Sequence, residues 1–270
     1  MISRSDVVQA TVSTLKKAET SLPHWVVELI EYAMENETNP VARSHLQFML
    51  ENVNIADETK LPLCQDTGLP IFHLEIGQDL RLDFDLHEAI AEGVRIATIE
   101  IPLRPNVVDP LTRKNTGDNT GIGMPDIILE SVKGSSLRII AFPKGAGSEN
   151  MSLVGMLNPA DDSFEFILKT VAERAANACP PLFLGVGIGG TFDLAARLAK
   201  RALFNMPGSS EPEIELLKKI NDLGIGPMGL GGDTTALGVK IETVSCHTAS
   251  LPVAINFQCW ANRSASELIR

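Results

Sequence analysis

One segment of the sequence combines a thiol, an amide and an acid inside a turn. The stretch LPLCQDTGLPI, residues 61–71, contains Cys64 directly before Gln65 and Asp66, among prolines and a glycine that favour chain reversal. A structural cysteine usually packs as a small hydrophobe in a strand or helix. Because Cys64 has polar neighbours, its position is more typical of a reactive or metal-ligating thiolate.

Two further segments contain groups that bind anions. The stretch KGAGSEN, residues 144–150, offers consecutive backbone N–H groups with little side-chain bulk. Arg104 and Arg113 lie in residues 101–125, a proline- and glycine-rich connection of the length that is usually functional. An arginine can hold a carboxylate through two parallel hydrogen bonds. Together with the Cys64 segment, these residues predict a site for a small anionic substrate.

The cysteines are scattered along the chain. The sequence has 4 of them, at positions 64, 179, 246 and 259. They form no C-x-x-C pair, so a zinc knuckle is disfavoured. In a cytosolic protein such spacing favours thiols, metal ligands or catalysts over disulfides. Two readings stay open from spacing alone: four inert buried cysteines, or a metal or cluster site assembled from distant loops.

A glycine motif raises a competing hypothesis. The letters GVGIGG, residues 185–190, fit the G-x-G-x-x-G pattern of dinucleotide-binding proteins and stand between an expected strand and an expected helix. The acid expected about twenty residues later would be Glu211 or Glu213, but these follow the loop PGSSEP and not the end of a strand. We therefore favour a tight backbone turn, which brings a helix N-terminus toward some other anion, over a nicotinamide-dependent oxidoreductase.

The elements that must position these groups predict a mixed α/β (α+β) fold. Apolar residues at helical spacing predict three helices in residues 1–60, a helical N-terminal layer packed on a domain of short mixed strands with glycine-rich loops. The stretch IFHLEIG predicts a strand, and DIILESV and LRIIAF around KGSS predict a β-hairpin. No linker divides the chain clearly, so we expect a single domain over 1–270, with the helical layer over 1–60 and an α/β region over 61–270.

Composition excludes several classes of function. The 270 residues are 44% hydrophobic, enough for a substantial core. A formal charge of -11 argues against a nucleic-acid groove, which needs clustered Lys and Arg. No stretch approaches the ~20 apolar residues that a spanning helix requires, and the N-terminus lacks the order of a signal peptide. We expect a cytoplasmic protein that binds neither nucleic acid nor membrane.

Several long motifs, in order, carry a family resemblance. The segments LPLCQDTG, IPLRPNVVDPLTRKNTGDNTG, PKGAGSEN, GVGIGGTFD and SCHTASLPVAINFQCW resemble those of the iron–sulfur hydro-lyases that comprise class I fumarases and L-tartrate dehydratases. The match runs from about residue 60 to 260. The resemblance implies a [4Fe-4S] cluster with one open iron site, held by Cys64, Cys179 and Cys259.

The resemblance also implies roles for the residues around the cluster. Asp66 transfers a proton to or from the substrate hydroxyl, Arg104 binds a carboxylate, and Gly147 binds substrate through its backbone N–H. Gln65 and His247 complete the expected substrate contacts. Two alternatives stay open: Asp66 as the acceptor of a turn and His247 as a hydrogen-bonded core histidine. For Cys246 we expect a packed or supporting thiol.

The implied activity is reversible hydration. We expect the alpha subunit of a fumarate hydratase interconverting fumarate and (S)-malate, with the L(+)-tartrate dehydratase alpha subunit, which gives oxaloacetate, as the alternative. Because single-chain members carry a second, C-terminal domain that this sequence lacks, the resemblance implies a separate beta subunit in an α2β2-type hetero-oligomer. From other classes, a dinucleotide-dependent oxidoreductase and a non-catalytic iron–sulfur carrier stay open.

Overall fold

A computed structural model describes residues 2–270 of the chain. The helices are α1 (Arg4–Thr20), α2 (His24–Asn36), α3 (Pro40–Thr59), α4 (Leu86–Glu100), α5 (Ala146–Glu149), α6 (Ser163–Arg174), α7 (Phe192–Phe204) and α8 (Glu211–Asn221). The strands are β1 (Ile71–Gly77), β2 (Asp126–Val132), β3 (Leu137–Ala141), β4 (Leu153–Leu157), β5 (Leu182–Ile188), β6 (Ala236–Thr243), β7 (Leu251–Gln258) and β8 (Ala265–Ile269). Short 3₁₀ turns cover Ala175–Ala178 and Pro227–Gly229. The mixed α/β class predicted from the sequence is confirmed.

The chain forms two compact units. The first unit contains the residues up to His24, Glu51–Ala146 and Arg263–Arg270, and the second contains Trp25–Leu50 and Gly147–Asn262. Helix α1 thus belongs to the first unit and α2 to the second. The expectation of a single domain over the whole chain stays a prediction.

The first unit is built on a four-stranded sheet of order β2-β1-β3-β8. Strand β1 runs parallel to β2 and antiparallel to β3, and β3 is antiparallel to β8. Helix α1 packs against α4, β3 and β8. A Cβ on Gly93 of α4 would meet the Thr11 Cβ of α1 at 2.5 Å, so this glycine permits the close packing of the two helices.

The predicted hairpin of β2 and β3 is wrong. The two strands do not pair with each other, because β1 lies between them. Most of β1 is buried, and a central strand needs a hydrogen-bonding neighbour on each side. The chain therefore crosses over β1 instead of reversing directly at residues 133–136.

The second unit is built on a sheet of order β4-β7-β5-β6. Strand β5 is parallel to β6 and antiparallel to β7, and β7 is antiparallel to β4. Helix α7 packs against β5 and β7, and α8 against β6. Aliphatic residues from α6, α8, β5, β6 and β7 form its main core.

The glycine motif is explained by the packing of α7 on β5. Gly185 and Gly187 lie inside β5, paired on both sides with β6 and β7. A Cβ on Gly185 would meet the Ala199 carbonyl oxygen of α7 at 2.0 Å. Gly189 and Gly190 then form the turn into α7 with φ of 95° and 73°, as the tight-turn reading predicted. Dinucleotide-binding glycines belong to the loop after the strand, so the positions of Gly185 and Gly187 disfavour that alternative.

The three N-terminal helices and β1 lie where the sequence predicts them, and the helix expected after GVGIGG is α7. None of the helices within residues 2–270 combines the length and the apolar composition that crossing a bilayer requires.

Candidate active site

In the first unit, Cys64, Gln65 and Arg104 line one cavity. Its volume is about 530 Å³, and its lining also includes Thr67 and Pro102. Cys64, Gln65 and Arg104 are all exposed. The structure therefore brings together, in an accessible cavity, a thiol, an amide and a cation that the sequence separates by some forty residues.

The backbone of Arg104 is tied directly to the segment that carries Cys64. The Arg104 carbonyl accepts hydrogen bonds from the Thr67 hydroxyl at 3.1 Å and from Asn119 Nδ2 at 3.1 Å. Asn106 Nδ2 donates to the Gly68 carbonyl at 3.0 Å. Sequence reasoning missed Thr67, Asn106 and Asn119, although asparagines in an irregular loop are a usual sign of side-chain to backbone bonding.

Asp66 directs its carboxylate at backbone amides. Oδ1 accepts from the Gly68 N–H at 3.0 Å, and Oδ2 accepts from the Ala146 N–H at 2.8 Å. The first bond is the Asx turn that the sequence left open as an alternative to catalysis. A carboxylate held by two amides has a fixed orientation, and a proton-transfer role for Asp66 stays a prediction.

Arg113 lies elsewhere in the irregular connection. It is exposed and adopts a φ of 60°, and its N–H donates to the Asp109 carbonyl at 2.9 Å. It does not belong to the lining of the Cys64 cavity. Of the two arginines proposed to hold a carboxylate, Arg104 is the one that lines this cavity.

In the second unit, the segments of Cys179 and Cys259 contact each other. The Trp260 N–H donates to the Cys179 carbonyl at 3.3 Å. Cys179 is exposed and left-handed, with φ of 56° and ψ of 64°, at the end of a 3₁₀ turn. Cys259 directly follows β7 and is partly exposed. Two of the three predicted cluster ligands therefore lie on neighbouring segments of backbone.

The segment around Gly147 is anchored by an acid. Gly147 is exposed in α5, and no heavy atom lies within 4 Å of the Cβ position it lacks. Glu149 accepts from Lys200 Nζ at 3.1 Å and from Asn256 Nδ2 at 3.4 Å. Asn256 lies on β7, so the acid ties the KGAGSEN segment to the strand that ends before Cys259.

His247 and Cys246 lie in the exposed loop between β6 and β7. His247 Nδ1 accepts from the Ala249 N–H at 3.1 Å. The core-histidine alternative is wrong, because the ring lies in a solvated loop. The expectation of a packed Cys246 is wrong for the same reason.

The four cysteines, all within residues 2–270, form no disulfide. The described part of the chain also contains no group of three or more His, Cys, Asp and Glu side chains close enough together to hold a metal ion. The donor chemistry nevertheless fits an iron–sulfur cluster, since soft thiolates are the usual ligands and the three candidate thiols are at least partly exposed.

The fold and these residues define a mixed α/β protein in which an exposed thiol and an exposed arginine line one cavity. A family model described as fumarate hydratase (fumerase) matches residues 8–267. The chain therefore belongs to this family of class I iron–sulfur hydro-lyases, in its alpha-subunit form.

Two relatives are similar over most of their length. A protein of Methanocaldococcus jannaschii, named provisionally as an L(+)-tartrate dehydratase subunit alpha, is 48% identical over 98% of this chain and 97% of its own. The L(+)-tartrate dehydratase subunit alpha of Escherichia coli strain K12 is 31% identical over 93% of this chain and 86% of its own.

Proposed function

We propose that this chain is the cluster-bearing alpha subunit of an L(+)-tartrate dehydratase, which removes water from L(+)-tartrate to give oxaloacetate. The observation that carries the proposal is the cavity in which Cys64, Gln65 and Arg104 meet. The names of both relatives favour tartrate as the substrate. The fumarate preference predicted from the sequence becomes the second candidate, and the name of the family model favours it.

The two substrates share the groups that the site would bind. L(+)-Tartrate and (S)-malate are both 2-hydroxy acids with a second carboxylate, and each loses one hydroxyl together with a hydrogen from the neighbouring carbon. Removing water from malate leaves fumarate, whereas removing it from tartrate leaves the enol of oxaloacetate. One extra hydroxyl therefore distinguishes them, and the residues that recognise it can belong to a partner chain.

We assign the cluster to Cys64, Cys179 and Cys259. When bound, a [4Fe-4S] cluster with one open iron supplies Lewis-acid assistance to departure of the hydroxyl. Support for this set comes from the soft thiolate donors and from the family, while Cys246 is left outside it. The fourth iron of the proposed cluster would have no protein ligand, unlike the fully ligated cluster of an electron carrier.

The protein's own groups then bind and orient the diacid. Arg104 holds a carboxylate through its planar fork of donors, and the Gly147 backbone N–H and His247 bind other substrate oxygens. Gln65 hydrogen-bonds the substrate beside Cys64. Asp66 transfers a proton to the departing hydroxyl in dehydration and takes one from water in hydration. For this its carboxylate must give up at least one of its two backbone hydrogen bonds and contact the substrate.

A separate beta subunit completes the enzyme in this proposal. Both relatives are named as alpha subunits. The proton on carbon must be removed by a base, and we assign that base and additional carboxylate-binding groups to the partner. An α2β2 assembly is the expected arrangement.

The test is an anaerobic assay of the cluster-reconstituted chain with its cognate beta subunit. We expect kcat/KM for L(+)-tartrate to exceed that for (S)-malate by at least about tenfold, since a site built for a hydroxyl discriminates strongly against its absence. Cys64→Ser should abolish both activities and lower bound iron. Cys246→Ser, also an exposed cysteine, is the matched control and should retain iron and activity.

Each other outcome is decisive. Faster turnover of malate would establish a fumarate hydratase and retire the tartrate assignment. Inactivity on both substrates, with full iron and the beta subunit bound, would overturn the proposed function.

Arg104→Met should raise KM at least about tenfold while Arg104→Lys raises it less, because lysine keeps the charge but loses the planar fork of donors.

A further inference from the structure

A buried ion pair lies beneath the Cys64 segment. Arg263 Nη1 donates to Glu19 Oε2 at 2.7 Å, and the two side chains are only 2% and 1% exposed. Arg263 follows Cys259 and Trp260 in sequence, whereas Glu19 lies near the end of α1. No role in the proposed reaction has been assigned to either residue.

The pair contacts the Cys64 segment at both ends. Arg263 Nη2 donates to the Asp66 carbonyl at 3.0 Å. The Glu19 main-chain carbonyl accepts from the Leu63 N–H at 2.8 Å. These two bonds flank Cys64 and Gln65, whose side chains line the cavity.

The same network reaches the Asp66 carboxylate. Ala146 donates its N–H to Asp66 Oδ2. A Cβ on Gly145 would lie 3.2 Å from that oxygen and 3.9 Å from Arg263 Nη2, so the glycine allows the three groups to approach closely. Orientation of the carboxylate thus depends on the backbone that Arg263 holds.

Stability alone does not explain a buried ion pair. Desolvation makes such a pair costly, and apolar residues of similar volume often stabilise a protein as well or better. Burial raises the pKa of Glu19 to about 7 against the opposing effect of Arg263. Glu19 Oε1 has no hydrogen-bond partner among the described residues. A costly pair joined to a functional segment favours a role in geometry.

We propose that Arg263 and Glu19 are positioning residues, which fix the backbone from Leu63 to Asp66 and so orient Cys64, Gln65 and Asp66 for substrate. This inference rests on the proposed function for its catalytic consequence, but the bracing of the segment can be measured without activity. Neither side chain is proposed to touch substrate.

The first experiment is hydrogen exchange on the isolated alpha chain. Arg263→Met keeps much of the side-chain volume but removes both donors. We expect hydrogen exchange in peptides covering residues 62–68 to accelerate at least about tenfold, while β1 and β3 stay protected. The reason is that losing the hydrogen bonds to this segment increases its local opening but not that of the sheet. Arg138→Met is the matched control, since Arg138 forms a more exposed pair with Glu75 on the same sheet, at 3.0 Å.

The second experiment measures kinetics in the reconstituted complex with the beta subunit. For Arg263→Met we expect kcat to fall by about a hundredfold with KM changed less than about threefold, since small misplacements of reacting groups act mainly on turnover. Arg263→Lys keeps the charge beside Glu19 and should recover part of kcat. Glu19→Gln should change kcat in the same direction as Arg263→Met, by a smaller factor.

The outcomes separate this inference from the proposed function. Inactivity of the wild-type complex on both diacids would overturn the proposed function, whereas hydrogen exchange at residues 62–68 would still test the positioning proposal. Unchanged exchange in Arg263→Met, or an equal increase throughout the first unit, would overturn it. If Arg263→Met does not fold, Arg263→Lys and Glu19→Gln decide: wild-type exchange and kcat in both would refute positioning.

Discussion

The substitution Gly185→Ala tests whether the glycine motif serves packing. The added Cβ would lie 2.0 Å from the Ala199 carbonyl oxygen and 3.0 Å from Leu203 Cγ. Ordinary contacts between carbon and oxygen begin at ~3.3 Å, so α7 must move away from β5 by more than ~1 Å. Neighbouring Gly187 has the same constraint, with the Ala195 carbonyl oxygen at 2.2 Å.

The expected cost follows from overpacking a core. Such insertions cost about 1–3 kcal/mol and occasionally more, and a carbonyl on a helix backbone cannot rotate away as a side chain can. We expect about 3 kcal/mol for Gly185→Ala. At ~2–4 °C per kcal/mol for a chain of this size class, the melting temperature should fall by roughly 6–12 °C.

The assay is thermal unfolding of single and double variants. Because one displacement of α7 accommodates both methyl groups, Gly185→Ala and Gly187→Ala should be less than additive by at least about 1 kcal/mol. Gly147→Ala is the control for stability, since its Cβ would meet nothing within 4 Å. A Gly185→Ala variant as stable as wild type would refute the packing account. If the wild-type chain bound NADH and the Gly185→Ala variant did not, the dinucleotide hypothesis would be revived.

Two acids of the second unit give further predictions. Glu213 is buried, which by itself would raise its pKa, but bonds from the Ile241 and Ser210 amides, the Ser210 hydroxyl and Lys240 lower it from 4.5 to about 2. Its contribution of up to about 3 kcal/mol to the free energy of unfolding is therefore present above pH ~4.5 and lost as pH falls toward 2. The stability deficit of Glu213→Gln, measured by urea titration, should thus shrink by more than half between pH 7 and pH 3. An unchanged deficit would contradict the lowered pKa. Glu37 accepts backbone N–H bonds from residues 39, 233 and 234, so Glu37→Gln should cost about 1–3 kcal/mol and accelerate hydrogen exchange at 231–235; wild-type exchange there would count against it.

Local patterns predicted the three N-terminal helices and β1 but not the strand order. The helices carry apolar residues at regular spacing, and IFHLEIG is a short apolar run. The connection between β2 and β3 has the length of a hairpin loop, yet the two strands flank β1. Strand pairing depends on how the whole sheet is buried, and a sequence window of a few residues carries no information about that burial.

Strand β7 shows a second limit of local rules. It contains Pro252, a residue normally confined to edges or strand starts, and it is central in its sheet, between β4 and β5. The proline is tolerated because it is only the second residue of the strand, opposite Met156 of β4. The chain before β6 is also rich in glycine, and local patterns predicted neither β6 nor β7 as a strand.

The candidate site divides along the same line. Cys64, Gln65 and Arg104 could be recognised because a thiol, an amide and a guanidinium reveal their chemistry by type, and exposure leaves that chemistry available. Glu19 and Arg263 resemble ordinary charged residues, 244 positions apart. Only their burial distinguishes them, because a desolvated ion pair is costly to stability and therefore favours a role in positioning the neighbouring backbone. The residues proposed to act on a substrate could thus be predicted from residue type and motif, whereas the residues proposed to position them become visible only when distant segments are packed together.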